Sequence, residues 1–305
     1  MRVQRRDSPD REGPSEEMRS MLAEFAENSG LDISDAELIK FTNNAVFRLP
    51  ASQAVLRIAG SETMRSRIAK VISVARWLES MDFPAVRLLP TVSQPSRFGN
   101  HLATVWQEVV STSTPASGAD LGHLLKRFHA LPPPDFDLPP WRPMAGIRSR
   151  LATPSTLVAA ADLEFLRHKC DEIEHLLSET QFSLPRGPIH GDSFVGNLIS
   201  GPTGAILCDF DSTSIGPREW DLTPAAVGRV RFDYADDVHG ALADTYGFDV
   251  MEWQGFPTLR QLRELQLVTS VIPVLDKNSS IVSQWKRRLE SFRSGATDVR
   301  WSTYR

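Results

Sequence analysis

Three carboxylates and one amide in a short stretch of the chain are the residues best suited to chemistry. Residues 188–222 read PIHGDSFVGNLISGPTGAILCDFDSTSIGPREWDL. Asp192 follows a His-Gly pair and Asn197 comes five residues later, while Asp209 and Asp211 flank a phenylalanine. Carboxylate and amide oxygens are hard ligands that suit Mg²⁺ better than zinc. Phosphoryl transfer needs such a set, because a carboxylate must orient the attacking hydroxyl while a bound metal neutralises the phosphates.

A hairpin is predicted to bring these residues together. The turn Gly201-Pro202-Thr203-Gly204 separates two short apolar runs, so the second run is expected to return beside the first. Asp192, Asn197 and Asp209 are then expected around one small space at the ends of the arms. A His-Gly-Asp triplet by itself is more often an ordinary turn than a catalytic site, but the three residues at these offsets favour catalysis. We interpret His190 as a residue that braces the loop.

Other motifs that bind phosphate or activate nucleophiles are absent from the sequence. It contains no G-x-x-x-x-G-K-[ST], no G-x-G-x-x-G, no H-E-x-x-H and no G-x-S-x-G. P-loop, dinucleotide-binding, zinc-protease and esterase interpretations therefore lack their elements.

Hydrophobic periodicity predicts the elements that must position the motif. A first helix is predicted over residues 17–28, and a longer helix over 62–81 has apolar residues on one face. Short strands are predicted around the longer helix, at residues 38–41, 45–49, 54–59, 85–91 and 102–109. After the small-residue stretch 111–120, helices dominate, with examples predicted at residues 121–131 and 162–179.

Composition excludes several classes of protein. The 305 residues suffice for about two domains, and 34 basic against 38 acidic residues give a net charge of -4. Non-specific nucleic-acid binding is not expected, because the chain has no overall positive field. Two cysteines exclude a disulfide scaffold and a thiolate zinc site. No apolar run is long enough to span a bilayer and no secretory signal is visible, so we expect a cytoplasmic chain without a membrane partner.

The motif H-G-D-x-x-x-x-N, followed by D-F-D, resembles the aminoglycoside phosphotransferase and choline kinase superfamily, whose members are relatives of the protein kinases. The segments GPREWDL, LGHLLKRFHAL and ARWLES are similar to that family too, particularly to its actinobacterial members. The resemblance covers roughly residues 20–300. It implies that Asp192 is the catalytic base, that Asn197 and Asp209 are Mg²⁺ ligands, and that Asp211 touches a second metal. Asp221 of GPREWDL is expected to be buried and to cap backbone amides.

The same resemblance implies a nucleotide site for ATP or GTP. Its phosphate-covering turn falls on Asn43 and Asn44, although a polar hairpin turn explains these residues equally well. Its strand cation falls on Arg57, where the family more often has lysine. The helix acid that pairs with this cation is missing, since Val71 or Ser73 holds its position, so we expect no internal carboxylate to compete for Arg57. Gln107, Glu108 and Val109 correspond to the hinge that binds the purine through its backbone.

Together these observations predict an α+β, two-lobed, protein-kinase-like fold with a small antiparallel N-terminal sheet and a larger, mainly helical C-terminal lobe. We divide it into a mobile tail (1–16), a nucleotide-binding lobe (17–109) and a catalytic and substrate lobe (110–305). The predicted reaction moves the γ-phosphate of ATP or GTP to a hydroxyl of a small molecule. A cationic acceptor, such as an aminoglycoside or an amino alcohol, would be received by acids that are otherwise a solvated helix face: Asp233, Asp236 and Asp237. A regulatory pseudokinase with the same fold is the alternative, and a hydrolase that only splits ATP is a third. The sequence does not predict the oligomeric state.

Overall fold

The chain folds into two compact units in a computed structural model that describes residues 16–41, 44–234 and 236–304. The first unit comprises the chain up to residue 116 together with residues 134–137 and 196–213. The second comprises residues 117–133, 138–195 and 214–305. Both units are therefore discontinuous in sequence, and the predicted division between residues 109 and 110 stays a prediction. The predicted tail lies outside the described residues except for residue 16, which begins the first helix.

An antiparallel sheet forms the centre of the first unit. In the described residues its order is β1-β2-β3-β5-β4, and every neighbouring pair is antiparallel. The strands are β1 (Glu37–Phe41), β2 (Asn44–Leu49), β3 (Ala54–Ala59), β4 (Ser96–Phe98) and β5 (His101–Gln107). Strand β2 alternates strictly between half-buried and buried residues, as a strand with one face on a core requires. The first three strands follow the predicted runs closely, because hydrophobic alternation and turn residues both mark them.

Two helices accompany this sheet. Helix α1 (Glu16–Ser29) contributes Leu22 and Phe25 to the core beneath it. Helix α2 (Glu62–Ser80) begins at Ser61, whose side chain accepts a hydrogen bond from the Met64 amide. The predicted apolar face of α2 is buried as expected, at Ile68, Val71, Ile72, Ala75 and Leu78.

One strand prediction was wrong, and one strand was missed. Residues 85–91 form no regular strand; they make only isolated bridges, from Ala85 to Leu207 and from Leu88 to Trp106. Between the predicted strands 85–91 and 102–109, where no element was predicted, the chain forms β4, in which Ser96 and Phe98 are buried while Arg97 is exposed. A three-residue strand is too short for periodicity to reveal.

A second hairpin in the first unit carries part of the motif. Strands β7 (Leu198–Gly201) and β8 (Gly204–Leu207) pair in antiparallel register, with Leu198 opposite Leu207. Gly204 closes the turn with φ of 128°, a conformation that glycine adopts without a steric penalty. The chain then continues into a short 3₁₀ turn, Phe210–Ser212.

The second unit is mainly helical. It contains α3 (Gly118–His129), α4 (Pro143–Leu151), α5 (Ala160–Glu179), α6 (Glu219–Arg231), α7 (Val238–Tyr246), α8 (Phe256–Thr269) and α9 (Val282–Arg293). Two short strands, β6 (Gly187–Ile189) and β9 (Ser214–Gly216), pair in antiparallel register beside the motif. In the described parts of the chain, no helix combines the length and the apolar character that crossing a bilayer demands.

Candidate active site

The loop that carries Asp192 is held by a buried carboxylate of the second unit. Asp221, in the first turn of α6, is fully buried and accepts hydrogen bonds from the amides of His190 (2.7 Å) and Gly191 (2.8 Å). His129 of α3 adds a third contact, with Nε2 at 3.0 Å from the Asp221 carboxylate. Burial acts to raise the pKa of Asp221, but the bond and charge of His129 outweigh it, and the pKa lies below its ordinary value. Asp221 therefore has the expected structural role.

Further bonds fix the conformation of this loop. Trp220 Nε1 donates to the Gly191 carbonyl at 3.0 Å, and the Ser193 hydroxyl donates to the Asp221 carbonyl at 2.5 Å. Gly191 has φ of 85°, in the left-handed region that favours glycine. His190 is buried, and its Nδ1 accepts a long bond of 3.4 Å from the Asp192 amide, so it braces the loop as predicted.

Asp192 itself projects from this loop with its side chain 40% exposed. Arg263 of α8 donates from Nη1 to Asp192 Oδ1 at 3.1 Å, and the arginine side chain is 16% exposed. The braced loop thus presents a partly exposed carboxylate that Arg263 contacts. Such a carboxylate suits the orientation of a hydroxyl group.

Asn197 and Asp209 lie at the same end of the β7–β8 hairpin in the first unit. The Cys208 amide donates to the Asn197 carbonyl at 3.0 Å, so the two chain segments are adjacent there. The Asn197 side chain is mostly buried, whereas the Asp209 side chain is 38% exposed. Asp209 has φ of 70°, an uncommon conformation for a residue other than glycine, although Asp tolerates it better than most. Asp192 belongs to the other unit, so its predicted place beside this pair stays a prediction.

Oxygen ligands of this kind fit Mg²⁺. No group of three or more His, Cys, Asp or Glu side chains that could hold a metal occurs in the part of the chain that the structure describes. Mg²⁺ does not require one, because it usually takes one or two protein carboxylates and completes its shell with water and substrate phosphates. The Asp209 carboxylate and the Asn197 amide oxygen are donors of the chemical type that such a site uses.

The prediction that no internal carboxylate competes for Arg57 was wrong. Arg57 of β3 makes an ion pair with Asp211, and its Nη2 also lies 3.8 Å from Asp209 Oδ1. Burial acts to raise the pKa of Asp211, but the Arg57 charge and hydrogen bonds with Asp209 and Arg57 hold it below the ordinary value. Helix α2 has no acidic residue at the position that pairs with the strand cation in the family. Asp211, from the segment after β8, pairs with Arg57 instead. Asp211 is thereby engaged by a cation.

Lys70 of α2 holds the same segment. Its ammonium donates to the carbonyls of Asp211 (2.6 Å) and Thr213 (3.0 Å). Burial and the neighbouring charge of Arg67 lower the pKa of Lys70 to about 8, and the Asp211 charge offsets them only in part. Val71, the next residue, lines a small cavity together with Asn44, Arg57, Thr104 and Asp211. A lysine on the helix and an arginine on the strand therefore both contact the segment that follows Asp209.

Besides Arg57, the predicted nucleotide residues lie in two places, the turn before β2 and the segment after β5. Asn43 lies outside the described residues, and Asn44 opens β2 opposite Ala59. Two backbone amides of the predicted hinge already donate hydrogen bonds. The Gln107 amide donates to the Arg87 carbonyl (2.8 Å), and the Glu108 amide donates to the Gln53 carbonyl (2.9 Å). Among the described residues, the Val109 amide makes no hydrogen bond, and its predicted contact with a purine stays a prediction.

The predicted substrate acids lie between α6 and α7. Asp233, Asp236 and Asp237 are all exposed. Asp237 caps α7 by accepting a bond from the Gly240 amide at 2.9 Å, and it lies 3.4 Å from Arg229. A capping role accounts for Asp237 without a ligand.

Comparison with known sequences assigns the family. A sequence profile of the phosphotransferase enzyme family matches residues 39–265, which is most of the chain. The chain belongs to the phosphotransferase enzyme family. This match confirms the family that the motif resembles and the enzyme class, a phosphotransferase. No curated protein matches the sequence significantly.

Solved structures confirm the protein-kinase-like fold class. Amicoumacin kinase hAmiN, in complex with AMP-PNP, Ca²⁺ and Ami, superposes with a TM-score of 0.70 at 14% identity, covering 93% of this chain and 95% of that chain. APH(2″)-IIIa with GDP and kanamycin gives 0.65 at 10% identity, covering 91% and 99%. Choline kinase LicA from Streptococcus pneumoniae gives 0.64 at 13% identity, covering 90% and 98%. At these identities the likeness establishes the fold alone.

Sequence reasoning missed two cations that contact predicted site residues, one in each unit. Arg263 lies 71 residues beyond Asp192, and Lys70 lies 141 residues before Asp211, so no local spacing connects the partners. Lys70 carried one signal: it is the only lysine in α2, and it lies between the apolar positions Ile68 and Val71.

Proposed function

We propose that this phosphotransferase moves the γ-phosphoryl group of ATP or GTP to a hydroxyl group of a small molecule. The observation that carries the proposal is the Asp192 loop, in which a buried, ionised Asp221 fixes the backbone while the Asp192 carboxylate stays partly exposed. Family membership supports the reaction class. The nucleotides named for solved structures of the same fold, AMP-PNP and GDP, support a nucleotide donor.

Asp192 orients the acceptor hydroxyl and takes its proton as the oxygen attacks the γ-phosphorus. Arg263 bonds one oxygen of that carboxylate and so restrains its orientation. The bond from the γ-phosphorus to its bridging oxygen then breaks, and the nucleoside diphosphate leaves. When bound, Mg²⁺ would neutralise negative charge on the phosphates. Asn197 and Asp209 would hold it.

Donor binding is assigned to the first unit. Arg57 offers a fork of donors to phosphate oxygens, which suits an arginine that is always charged. That fork bonds Asp211, so a phosphate must compete with the carboxylate for it. Asn43 and Asn44 are proposed to cover the phosphates. Val109 is the best-supported hinge residue, because its amide is available.

A pseudokinase that binds nucleotide without transferring phosphate is the second candidate. The Arg57–Asp211 pair favours it, because it ties together a phosphate cation and a carboxylate predicted to reach a second metal. The fixed Asp192 loop opposes it, since a chain without turnover has no need of a braced and exposed carboxylate. A cytoplasmic location, the absence of a nucleic-acid partner and the role of Asp211 at a second metal stay predictions.

The discriminating experiment is a transfer assay with γ-labelled ATP and GTP, Mg²⁺ and a panel of hydroxylated amines, alcohols and acids. An enzyme labels at least one acceptor, whereas an ATP hydrolase releases only inorganic phosphate. A pseudokinase binds nucleotide and produces neither product. Nucleotide binding is measured in parallel, so that the absence of turnover is distinguished from the absence of donor.

A further inference from the structure

Arg263 contacts Asp192 in the part of the site where the acceptor must approach. Its Nη1 bonds both Asp192 Oδ1 (3.1 Å) and Gln266 Oε1 (3.2 Å). Within the described part of the chain, Nε and Nη2 of Arg263 make no hydrogen bond. The arginine therefore has unused donors beside the predicted base.

The position of Arg263 is fixed by its helix. The neighbouring residues Leu259, Leu262 and Leu265 are completely buried, so α8 is anchored in the core of the second unit. Only 16% of the Arg263 side chain is exposed. A cation that is mostly buried, rigidly mounted and only partly bonded is suited to bind one anionic group.

This arrangement favours an anionic acceptor over a cationic one. Asp192 lies against Arg263, so their charges largely offset each other and the selection depends on the donors that remain. An ammonium group can only donate hydrogen bonds, so it gains nothing from Nε and Nη2 of Arg263. A carboxylate accepts, and its two oxygens can bond that pair of donors.

We propose that the acceptor is a small hydroxy acid, whose carboxylate binds the free donors of Arg263 while its hydroxyl lies against Asp192. The inference rests on the proposed phosphotransferase function and names its substrate class. Because Arg263 and Asp192 are in direct contact, the two groups of the acceptor are separated by only a few bonds. The hydroxyl oxygen forms a bond to the γ-phosphorus, its proton passes to Asp192, and the nucleoside diphosphate leaves. The product is a phosphoryloxy acid.

The test uses three acceptors of equal length: 4-hydroxybutanoate, butane-1,4-diol and 4-aminobutan-1-ol, with the three- and five-carbon hydroxy acids added. The full chain should give the highest kcat/KM with one of the acids, about tenfold or more above the diol and the amine. In Arg263→Gln, the preference for the acid over the diol should fall by about 10- to 100-fold, which is the range for the loss of a charge-assisted hydrogen bond. The fall should appear chiefly as a higher KM for the acid. Arg263→Lys should retain part of the preference, because it keeps the charge and loses the fork.

Arg167→Gln is the matched control. Arg167 is an exposed arginine of α5 in the same unit, so its removal changes the net charge equally and should leave the preference intact. A wild-type preference for the amine or the diol would overturn the inference. So would an acid-to-diol ratio that Arg263→Gln does not change, because Arg263 would then support the fold or restrain Asp192 rather than select the acceptor.

A binding measurement distinguishes a failure of this inference from a failure of the proposed function. Saturation-transfer NMR with the wild-type chain, Mg²⁺ and a non-hydrolysable ATP analogue should detect the hydroxy acids, and Arg263→Gln should lose the signal. If the acids bind through Arg263 and no phosphate is transferred, the proposed function fails while the acid site stands. If none of the acids binds, the acid site is refuted, whatever the transfer assay shows.

Discussion

Replacing Asp221 with alanine should loosen the Asp192 loop and destabilise the second unit. The change removes the acceptor of two backbone amides, at His190 and Gly191, and the partner of His129. Each buried donor left without a partner costs about 1–3 kcal/mol, and breaking a buried charged network typically costs about 3–5 kcal/mol. We therefore expect the free energy of unfolding to fall by about 3–5 kcal/mol. That is a large share of the roughly 5–15 kcal/mol of an ordinary domain.

Urea unfolding followed by tryptophan fluorescence is a direct assay, because Trp220 bonds the same loop through the Gly191 carbonyl. Asp120→Ala serves as the control. Asp120 lies in the first turn of α3, where it accepts a bond from the amide of the N-cap residue Ser117 at 2.8 Å, and loss of this capping-box contact should cost about 1 kcal/mol. In molecules that stay folded, Asp221→Ala should also lower transfer by about 10²-fold, since a displacement of about 1 Å can cost that much. A variant within about 0.5 kcal/mol of the wild type, or one with full activity, would refute the anchoring role.

The pH dependence of unfolding has a definite sign. Because the folded pKa of Asp221 lies below the unfolded value of about 3.9, the folded state binds fewer protons through this group. Its contribution is therefore complete above about pH 4 and is lost as the pH falls through the folded pKa. Asp221→Asn cannot titrate, so its stability should fall less steeply than that of the wild type below pH 4. If the free energy of unfolding fell equally steeply with decreasing pH in the two proteins below pH 4, the result would contradict this assignment.

Three further predictions concern the first unit and the thiols. Asp209→Ala should abolish the Mg²⁺-dependent part of nucleotide affinity, and Asn197→Ala should weaken it less, because a neutral amide is the poorer ligand. Calorimetry measures both, and equal wild-type affinity with and without Mg²⁺ would contradict the two assignments. Arg57→Ala should weaken nucleotide binding by about 1.5–3 kcal/mol and Arg57→Lys by less, whereas unchanged affinity in the alanine variant would remove Arg57 from the phosphate site. Burial raises the pKa of Cys170 to about 11, and burial together with the Asp209 charge raises the pKa of Cys208 to about 12. A disulfide reagent at pH 8 should therefore label both thiols only after unfolding, and rapid labelling of the native chain would contradict this expectation.

Local pattern was enough to predict much of the first unit. Strands β1 to β3 and helices α1 and α2 have periodic apolar residues and clear turn or capping residues, such as Ser61 before α2. The strand predicted at 85–91 failed because a run of apolar residues can pack on a core without a regular ladder. Here Val86 and Leu89 find single backbone partners, at the Leu207 and Val105 carbonyls.

The charged partners of the site could not be predicted in the same way. The motif and the resemblance placed Asp192, Asn197 and Asp209 on recognisable loops and strand ends. The cations that contact the motif, Arg57 and Arg263, meet their partners across 154 and 71 residues. Such contacts depend on how elements pack within each unit, and an arginine in a strand or a helix carries no local mark of its partner.

The most direct test of the proposed phosphotransferase is γ-phosphate transfer by the wild-type chain and by Asp192→Asn, with nucleotide affinity measured on both. The variant removes the proton acceptor without touching a proposed phosphate ligand. We expect transfer to fall by about 10²–10⁴-fold while the nucleotide affinity changes little. Full transfer by Asp192→Asn would contradict the proposed mechanism. Nucleotide binding by the wild type without transfer to any acceptor would instead support the pseudokinase.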